Sequence, residues 1–489
     1  MTQRDHVDVL VVGAGLSGIG AGYRLQTECP DRSYAILEGR DSIGGTWDLF
    51  RYPGVRSDSD MYTLGYPFRP WRQPKAIADG STILDYIRET AAEYGIDKKI
   101  RYGQRVVSAT WSGSAARWTL RTETGEEHTG SFLYICTGYY RYSSGYEVDF
   151  PGLGDFAGTV VHPQHWPADL DYAGKRVVII GSGATAVTLV PAMAPTAEQV
   201  TMLQRSPSYM IALPVRDDAT KRLGRVMSAD RAARVLRARN VLVTWGVYQA
   251  SRRWPAKAAQ LFQNAVAKQL PPGVPIDPHF APSYAPWDQR LCVVPDGDFF
   301  AALRSGRASI VTGTIDTFTE KGIRLTGGEE LAADLVVTAT GLSMVTFGEI
   351  KLTVDDRAVE SGQLHVYKGV MFDGLPNLAW CVGYTNASWT LRADLSTRYL
   401  CRLLNYLSRH DIQVATPAMD PAEQDSDEPL MDLRSGYVQR AAATLPRQGT
   451  RSKWRVRNNY LLDLPRMRLS RIDDGAMTFT RIIKTGVCA

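Results

Sequence analysis

The apolar positions along the chain predict short buried strands that alternate with amphipathic helices. Residues 7–12 form an apolar run that is typical of a strand buried on both faces of a parallel sheet. Residues 19–29 predict a helix, and residues 34–37 predict a second strand. A strand, a helix and another strand in this order indicate a parallel βαβ unit, and therefore a fold of the α/β class.

The turn after the first strand has the composition of a dinucleotide site, because its glycines follow the pattern G-x-G-x-x-G. Gly13 allows a tight turn, Gly15 allows the backbone to approach a pyrophosphate, and Gly18 allows the helix to pack on the strand. Ser17 lies in the same turn, at a helix N-terminus that favours phosphate charge. Glu38 ends the second strand, twenty residues beyond Gly18, where a carboxylate accepts hydrogen bonds from a ribose.

A second unit of the same kind begins 168 residues later. Residues 176–180 predict its first strand, and residues 199–203 predict the strand after its helix. The turn between them is expected to bind a second dinucleotide through Gly181, Ser182, Gly183, Ala184, Thr185 and Ala186. Arg205 and Ser206 stand where an NAD site offers an acid, and an arginine suits a 2′-phosphate. The sequence therefore predicts NADPH rather than NADH.

The remaining segments predict a meander, a helical insertion and a long helix. Residues 80–95 predict an amphipathic helix, and residues 104–135 predict three short strands with tight turns. Residues 217–270 are helix-forming and interrupt the second unit, and residues 271–286 are rich in proline and predict an extended loop. A long helix is expected from about residue 384 to residue 407. The predicted fold has two Rossmann-like dinucleotide-binding domains, a β-meander and a helical insertion.

Positive charge is concentrated in the insertion. The chain of 489 residues has a net charge of +5, whereas residues 217–268 hold 11 Lys and Arg against 3 Asp and Glu, which is +8. A solvated basic face is the first interpretation of this charge. Association with an anionic membrane surface stays open as the alternative, since tryptophan and tyrosine are interleaved with the arginines. Nucleic-acid binding is not favoured, because no nucleic-acid motif accompanies the charge.

Cysteine and histidine spacing argues against disulfides and metal sites. The six cysteines are scattered without a C-x-x-C pair, which predicts free thiols in a reducing compartment. No apolar stretch approaches the ~20 residues of a membrane span, so a cytoplasmic location is expected. His162 and His165 are three residues apart, but Pro163 and Pro167 disfavour a ligand-bearing helix. We therefore expect no metal.

Two further motifs carry a family resemblance. Residues 44–58 read G-G-x-W-x-x-x-x-Y-P-G-x-x-x-D, and residues 156–167 read F-x-G-x-x-x-H-x-x-x-W-P. Both are similar to motifs of the Baeyer–Villiger flavin monooxygenases, and Trp166 favours this group over the nitrogen- and sulfur-oxidising flavin monooxygenases, which typically carry Tyr or Phe there. The resemblance extends over essentially the whole chain and is nearest to the ethionamide-activating subgroup. The fixed positions of the second motif are Phe156, Gly158, His162, Trp166 and Pro167.

The resemblance implies both activity and cofactors. Members of this family use FAD, NADPH and O2 to convert ketones to esters or lactones through a flavin peroxide, and sulfide or thioamide oxidation is expected as well. Arg290 corresponds to the family's catalytic arginine, and Asp58 to the acid that orients it. Where many relatives have Lys before that arginine, this chain has Gln289, which places the strictness of the NADPH preference in doubt. His162 is expected to act on the interdomain linker rather than in the chemistry.

Further flavin contacts are implied by the same resemblance. They are expected from Gly45, Thr46, Trp47 and Tyr62, and from Asn386 at the start of the long helix, where Thr or Asn is expected to cap the helix. The implied partners are a small ketone or sulfide and O2, without nucleic acid. The oligomeric state is left open.

The domains predicted from these motifs follow the order of the chain. Residues 1–150 form the first part of the FAD-binding domain, and residues 151–171 form a linker that carries the signature motif. Residues 172–342 form the NADPH-binding domain with its insertion, and residues 343–489 complete the FAD-binding domain and add a C-terminal tail.

Three rival functions remain to be tested. A nitrogen- and sulfur-oxygenating monooxygenase without ketone activity is the nearest alternative. A disulfide reductase of the same fold needs a redox-active cysteine pair near the flavin, and the sequence shows no such pair. A flavin-binding sensor has no use for a second complete dinucleotide site.

Overall fold

The structure is a computed structural model that describes residues 6–423, 426, 428–431, 433–451 and 453–482. The end of the predicted C-terminal tail, including Cys488, and part of the acidic stretch 420–428 lie outside these residues.

Helices and strands alternate along much of the described chain. The helices are α1 (Leu16–Glu28), α2 (Thr46–Leu49), α3 (Met61–Leu64), α4 (Gly80–Glu93), α5 (Ala184–Met193), α6 (Ala219–Leu223), α7 (Ala229–Arg253), α8 (Pro255–Ala267), α9 (Asp298–Arg304), α10 (Trp389–Arg409), α11 (Gly436–Ala441) and α12 (Tyr460–Leu469). The strands of the N-terminal part are β1 (His6–Val12), β2 (Tyr34–Leu37), β3 (Ile100–Arg101), β4 (Val106–Ser112), β5 (Arg117–Thr122), β6 (Glu127–Ile135), β7 (Thr159–Val161), β8 (Arg176–Ile180), β9 (Gln199–Gln204) and β10 (Met210–Leu213). The later strands are β11 (Cys292–Pro295), β12 (Ala308–Thr312), β13 (Ile315–Thr319), β14 (Gly322–Leu325), β15 (Glu330–Ala332), β16 (Leu335–Thr338), β17 (Lys351–Val354), β18 (Arg357–Ala358), β19 (Val366–Tyr367), β20 (Met371–Phe372), β21 (Leu378–Trp380), β22 (Val414–Pro417), β23 (Glu428–Pro429), β24 (Arg447–Gln448) and β25 (Met477–Thr480).

The first glycine-rich turn leaves the centre of the first sheet. Parallel strands lie in the order β3–β2–β1–β6–β21. The apolar run of β1 is buried on both faces as predicted: Val9 packs in the core on one face, and Leu10 packs in a separate core on the other. This double burial explains why β1 has a continuous apolar sequence instead of an alternating one.

The predicted β-meander is confirmed, but its last strand has a second role. β4, β5 and β6 pair antiparallel in sequence order. The C-terminal half of β6 then leaves β5 and pairs in parallel with both β1 and β21. The meander is therefore a continuation of the nucleotide-binding sheet, and β17 adds to its outer edge.

The second sheet is parallel and carries the second glycine-rich turn. Its strand order is β12–β9–β8–β16–β7, with β8 leading into Gly181. β7 belongs to the signature stretch, so part of the predicted linker is an edge strand of this sheet. One face packs against α5 and α9, and the antiparallel strands β13–β15 cover the other.

Two segments of the chain cross between the sheets side by side. Residues 139–146 run forward and residues 341–345 run back, and they pair antiparallel at Tyr140 and Met344. The Arg141 amide donates to the Ser343 carbonyl at 2.7 Å, which lies within this pairing. The two crossings therefore form one two-stranded connection.

The helical insertion predicted at 217–270 consists of α6, α7 and α8. Arg237 of α7 fixes this insertion to the first part of the chain, because its Nη1 donates to the carbonyl oxygens of Tyr62, Thr63 and Gly65 at 2.9, 3.1 and 2.7 Å. Asn240 adds a hydrogen bond from Nδ2 to Asp60 Oδ1 at 2.8 Å. Burial lowers the pKa of Arg237, but the three carbonyls receive its hydrogen bonds.

The long C-terminal helix starts later than predicted. α10 begins at Trp389, not near residue 384, and its N-cap residue is Ser388. The Ser388 side chain contacts the Thr63 hydroxyl at 2.6 Å and makes no hydrogen bond to a backbone amide of the helix. α12 packs on α10 through a buried ion pair between Arg392 and Asp463. Within the described residues, no helix has the length and hydropathy needed to span a bilayer.

Candidate active site

A cavity of ≈180 Å³ lies at the carboxyl end of β1. Gly13 has φ +103°, and a Cβ on it would lie 2.7 Å from the Cys136 carbonyl oxygen, so the turn requires glycine. A Cβ on Gly18 would lie 1.9 Å from the Gly13 carbonyl, which explains the third glycine of the motif. The cavity walls include Gly13, Gly15, Glu38, Arg40, Gln104, Arg105, Thr137 and Tyr142.

Glu38 is held by backbone amides at the edge of this cavity. Its Oε2 accepts from the Ala14 amide at 2.7 Å, and its Oε1 accepts from the Arg40 amide at 3.0 Å. Burial raises the pKa of Glu38, and the two amide hydrogen bonds lower it in part. Each carboxylate oxygen keeps a second lone pair, so the predicted ribose contact remains available.

A second cavity of ≈290 Å³ continues from the first. Gly15 and Gly45 line both, and a Cβ on Gly45 would lie 3.1 Å from the Gly15 Cα, which shows how closely the two backbones converge. Thr46, Trp47, Tyr52 and Tyr139 are among the other walls.

The continuous cleft formed by both cavities fits an FAD-sized dinucleotide. Two glycine backbones converge in it without side chains in the way. Within the described chain, Thr137 Oγ1 is buried without a hydrogen-bond partner, and Thr137 lines the first cavity. A buried hydroxyl of this kind is normally satisfied, so an oxygen- or nitrogen-rich ligand matches it.

An aromatic wall supports the second cavity. Trp389 stacks on Tyr139 with ring centroids 5.2 Å apart, and its Nε1 donates to Ser17 Oγ at 2.7 Å. Ser17, predicted from the first glycine turn, thus lies beside the second cavity and links that turn to α10. Tyr139 and Trp389 were not predicted as site residues. Tyr139 directly follows Thr137 and Gly138, and its place after the end of β6 is the signal in the sequence that could have identified it.

Asp58 and Arg290 meet as predicted, although they are 232 residues apart. Arg290 Nη1 donates to Asp58 Oδ2 at 2.9 Å, and Arg290 Nη2 donates to the Tyr139 hydroxyl at 3.3 Å. Tyr139 is the largest cause that raises the pKa of Arg290, with Tyr437 and Asp58 adding to it against the effect of burial. Burial raises the pKa of Tyr139 to about 12. Arg290 is therefore a permanent cation beside a neutral phenol and a carboxylate.

A third cavity of ≈250 Å³ lies on the other side of this ion pair. Asp58 and Arg290 line both the second and the third cavity. The third cavity is walled by apolar side chains of β10, the insertion and the following loop, and by three asparagines: Ile211, Val243, Trp245, Val247, Tyr248, Trp287, Leu291, Asn386, Asn458 and Asn459. The ion pair thus separates a cavity between nucleotide-binding loops from a second space lined by side chains of mixed polarity.

The second glycine turn has the expected shape. Gly181 has φ +138°, and a Cβ on it would lie 2.4 Å from the Ala339 carbonyl oxygen. Ser182 Oγ donates to the Ser206 carbonyl at 2.8 Å. Ala184 opens α5 and lines the second cavity, Thr185 is half-buried, and Ala186 is buried in the core.

Arg205 is exposed after β9, at the position that predicts a 2′-phosphate contact. Among the residues that the structure describes, its guanidinium has no ion-pair or hydrogen-bond partner. A cation that neutralises nothing within the chain is free to bind an anionic ligand. Gln289 is half-buried beside Arg290.

The signature stretch lies on the connection between the sheets and outside all three cavities. The His162 ring lies against Gly145, where a Cβ would come within 1.9 Å of it. His162 Nδ1 accepts from the Gln164 amide at 3.2 Å, and Gln164 Nε2 donates to the Arg141 carbonyl at 2.8 Å. Burial lowers the pKa of His162. This arrangement fits the predicted conformational role.

The aromatic positions of the signature pack in the second sheet's cores. Phe156 contacts Phe318 edge-on with centroids 5.9 Å apart, and Trp166 contacts Tyr172 at 6.5 Å. A Cβ on Gly158 would lie 2.4 Å from the Phe156 ring, so this glycine makes room for the aromatic residue. Pro167 ends the motif and is exposed.

Two predicted flavin contacts lie elsewhere. Tyr62 is buried in α3, and its hydroxyl contacts the Gln73 carbonyl at 3.0 Å and Thr220 Oγ1 at 2.6 Å, because the single helical turn directs it toward the insertion. Asn386 lines the third cavity rather than the second, and its Nδ2 donates to the Asn458 carbonyl at 2.7 Å. Neither Thr385 nor Asn386 caps α10, because the helix begins three residues after Asn386, with Ser388 as its N-cap residue.

The cysteines are free thiols, as expected for the five that the structure describes. Cys136 and Cys381 directly follow the neighbouring strands β6 and β21, close enough for their thiols to interact, so a cysteine pair does lie beside the flavin cleft. Burial holds the pKa of Cys136 well above its usual range, whereas hydrogen bonds with Cys136 and Ser17 lower the pKa of the buried Cys381 thiol. In the described chain, no three His, Cys, Asp or Glu side chains form a potential metal site.

Comparison with known proteins adds sequence relatives of the same length. A family model described as flavin-binding monooxygenase-like matches residues 55–239, and one described as an NAD(P)-binding Rossmann-like domain matches residues 11–75. The FAD-containing monooxygenase EthA of Mycobacterium tuberculosis is 50% identical over 484 residues, which cover 98% of each chain. The probable FAD-binding monooxygenase AlmA of Acinetobacter baylyi is 46% identical, over 97% of this chain and 96% of its own.

Solved structures share the fold at lower identity. Oxidized steroid monooxygenase bound to NADP superposes with a TM-score of 0.78 at 21% identity, over 98% of this chain and 100% of that one. An open crystal structure of cyclohexanone monooxygenase gives a TM-score of 0.75 at 20% identity, over 97% and 99% of the two chains. With a glycine cleft for FAD, a second dinucleotide turn and full-length relatives, the chain belongs to the FAD-containing monooxygenases, with FAD and NADP as its cofactors.

Proposed function

We propose that this monooxygenase performs the Baeyer–Villiger reaction. A ketone, O2, NADPH and a proton give an ester or lactone, NADP⁺ and water, and sulfides or thioamides are oxidised at the same site. The observation that carries this proposal is the Arg290–Asp58 ion pair, which lines both the second and the third cavity. A ketone in the third cavity would meet this pair on the side away from the glycine cleft.

The residues around the cleft have distinct proposed tasks. Gly13, Gly15 and Gly45 admit the FAD backbone, Glu38 receives the ribose, and Trp47 lines the ring region. Bound FAD, reduced by NADPH, would provide the redox chemistry that activates O2. The protein must then stabilise negative charge on oxygen while the ketone carbon is attacked.

Arg290 is the group suited to that electrostatic task. Its guanidinium is a fixed cation that needs no proton transfer, and fixed donors aimed at developing oxyanions are among the largest catalytic effects in enzymes. Asp58 holds one nitrogen of the guanidinium and Tyr139 the other, so its orientation is set before substrate binds. An enzyme that oxidises only nitrogen or sulfur has no need of this cation.

We further propose that residues 172–342 hold NADPH and that residues 1–150 together with 343–489 hold FAD, joined by the linker 151–171. Arg205 selects NADPH through its 2′-phosphate. Gln289, in place of a second cation, makes that preference less strict. His162 couples the two nucleotide sites through the crossing segments.

The test is a product analysis with the purified holoenzyme. A methyl ketone with NADPH and O2 is expected to give an ester, detected by mass spectrometry, in proportion to the NADPH consumed. Sulfoxide from a thioether without ester from any ketone in a broad panel would instead establish the sulfur-oxygenating alternative.

A further inference from the structure

The helical insertion carries a group of exposed large apolar side chains. Val226, Leu242, Trp254 and Leu261 are 77%, 55%, 54% and 68% exposed. Val235, also exposed, precedes Leu242 on α7 by seven residues, so the two lie on the same face of the helix. Val226 precedes α7, and Trp254 lies between α7 and α8. Single exposed apolar residues are ordinary, whereas several within one insertion indicate an interaction surface.

Basic side chains are interspersed with this apolar group. Lys257 and Lys268 lie four residues before and seven residues after Leu261, on the same face of α8 and its end. Arg222 and Arg225 immediately precede Val226. Within the described chain, none of these four cations forms an ion pair. Their positive charge is therefore available to an anionic partner.

Helix α7 also forms the rim of the third cavity. Val243, Trp245 and Val247 line that cavity, and they are also 57%, 40% and 40% exposed at the surface. The cavity thus opens at the helix that carries the apolar and basic side chains.

We propose that the helical insertion docks on the surface of a bilayer that contains anionic lipids. Leu242, Trp254 and Leu261 enter the interface between headgroups and acyl chains, while the lysines and arginines bind the headgroups. Attachment is peripheral, and it brings the rim of the third cavity to the lipid. This inference holds whether or not the proposed ketone chemistry is correct.

A second copy of the chain fits this surface less well. In a symmetric dimer each patch meets the same patch of its partner, so the unpaired cations would face each other. The centres of protein interfaces are depleted in charged residues, above all lysine, unlike this surface. An anionic lipid surface satisfies the apolar and the basic side chains together.

The experiment measures binding of the FAD-loaded protein to vesicles by co-sedimentation. One vesicle type is phosphatidylcholine alone, and the other contains about one third phosphatidylglycerol. The double variant Leu242→Ser/Leu261→Ser removes apolar side chains outside the three cavities, and Lys257→Gln/Lys268→Gln removes charge. Leu469→Ser is the matched control, because Leu469 is 79% exposed on α12, outside the insertion.

The wild type and Leu469→Ser are expected to bind anionic vesicles and not neutral ones, and high salt should weaken this binding. The leucine variant should bind about tenfold more weakly. The lysine variant should bind about 25-fold more weakly, since each of its two basic side chains contributes about fivefold near an anionic surface.

Three outcomes would overturn the proposal: equal binding to both vesicle types, no binding to either, or unchanged binding by both variants. Light scattering provides the second measurement. A stable dimer that the leucine substitutions dissociate, in a protein that ignores vesicles, would assign this surface to a second copy of the chain.

Discussion

Arg290 is held through two nitrogens by partners of different charge. Asp58 attracts the guanidinium as a carboxylate, whereas Tyr139 accepts a hydrogen bond as a neutral phenol. An ion pair alone would leave the guanidinium free to rotate about one contact. The second contact fixes its plane, and the stacking of Tyr139 on Trp389 fixes the phenol in turn.

The variant Tyr139→Phe tests this second contact. It should lower ester formation about three- to tenfold, the effect of one hydrogen bond, while NADPH oxidation continues without product. Because burial raises the pKa of Tyr139 to about 12, the phenol stays neutral and the loss should be constant between about pH 6 and pH 9. A loss that changes across this range would mean that the phenol titrates, contrary to its environment.

The variant Arg205→Ala tests the cofactor preference. Loss of a charge-assisted hydrogen bond to the 2′-phosphate should reduce kcat/KM for NADPH about ten- to a hundredfold. NADH lacks that phosphate, so kcat/KM for NADH should stay the same. Equal losses with both cofactors would show that Arg205 supports the fold of the site rather than the phosphate.

At the scale of elements, the two crossing segments and the signature stretch form one unit. The His162 ring occupies the space above Gly145, and Gln164 binds the carbonyls of the same crossing segment. A change in the relative position of the two sheets must therefore move this contact. Through this contact we expect a motif outside all three cavities to affect turnover.

The variant Gly145→Ala tests this coupling without changing His162. The new Cβ would lie 1.9 Å from the ring, so the ring must move. FAD should stay bound, while flavin reduction by NADPH in stopped-flow traces slows about tenfold or more. Gly154→Ala in the linker is the control, since no atom lies within 4 Å of its Cβ position. Equal reduction rates in both variants and the wild type would show that His162 does not couple the two nucleotide sites.

A further prediction concerns Arg237, which attaches the insertion to the first part of the chain. Arg237→Ala removes the donor from the carbonyls of Tyr62 and Gly65, while the Thr63 carbonyl keeps its hydrogen bond from Thr390, and the loss should cost about 2–3 kcal/mol of unfolding free energy. Arg239→Ala on the same helix removes an exposed ion pair with Asp217 and should cost about 1 kcal/mol or less. Denaturation midpoints of the two variants measure the difference. Similar midpoints would show that α7 is held by other contacts.

The sequence predicted elements best where local chemistry decides them. The glycine turns at Gly13 and Gly181 were predicted because their positive φ angles require glycine whatever surrounds them. The start of α10 was predicted wrongly, because Thr385 and Asn386 are good capping residues and only tertiary contacts place the boundary at Ser388. The strand β7 was missed, because it becomes a strand only by pairing with β16.

The residues of the candidate site show the same contrast between local sequence signals and tertiary contacts. The pairing of Asp58 with Arg290 was predicted from the family resemblance, since no local pattern joins residues 232 positions apart. Tyr62 is predicted at the flavin from the resemblance alone, yet one helical turn directs its side chain to Thr220. The direction of a side chain after a short turn depends on packing, which sequence spacing does not specify.

At the scale of the whole molecule, the proposed function depends on how the three cavities adjoin one another. The two nucleotide units, the insertion and the C-terminal helices each contribute walls, and Asp58 and Arg290 lie at the boundary between the second and third cavities. In the proposed reaction, oxygen chemistry on one side and a carbon substrate on the other share one cation. Removing that cation should separate two activities that otherwise occur together.

Arg290→Ala, assayed with a methyl ketone and with a thioether, is the measurement that separates them. Ester formation should fall about a hundred- to a thousandfold, because the oxyanion loses its fixed cation. NADPH oxidation should continue at least in part, since Arg205 and the turn at Gly181 remain, and sulfoxide should persist better than ester. Ester formation that survives the substitution, with unchanged coupling to NADPH, would contradict the role of Arg290 and with it the Baeyer–Villiger assignment.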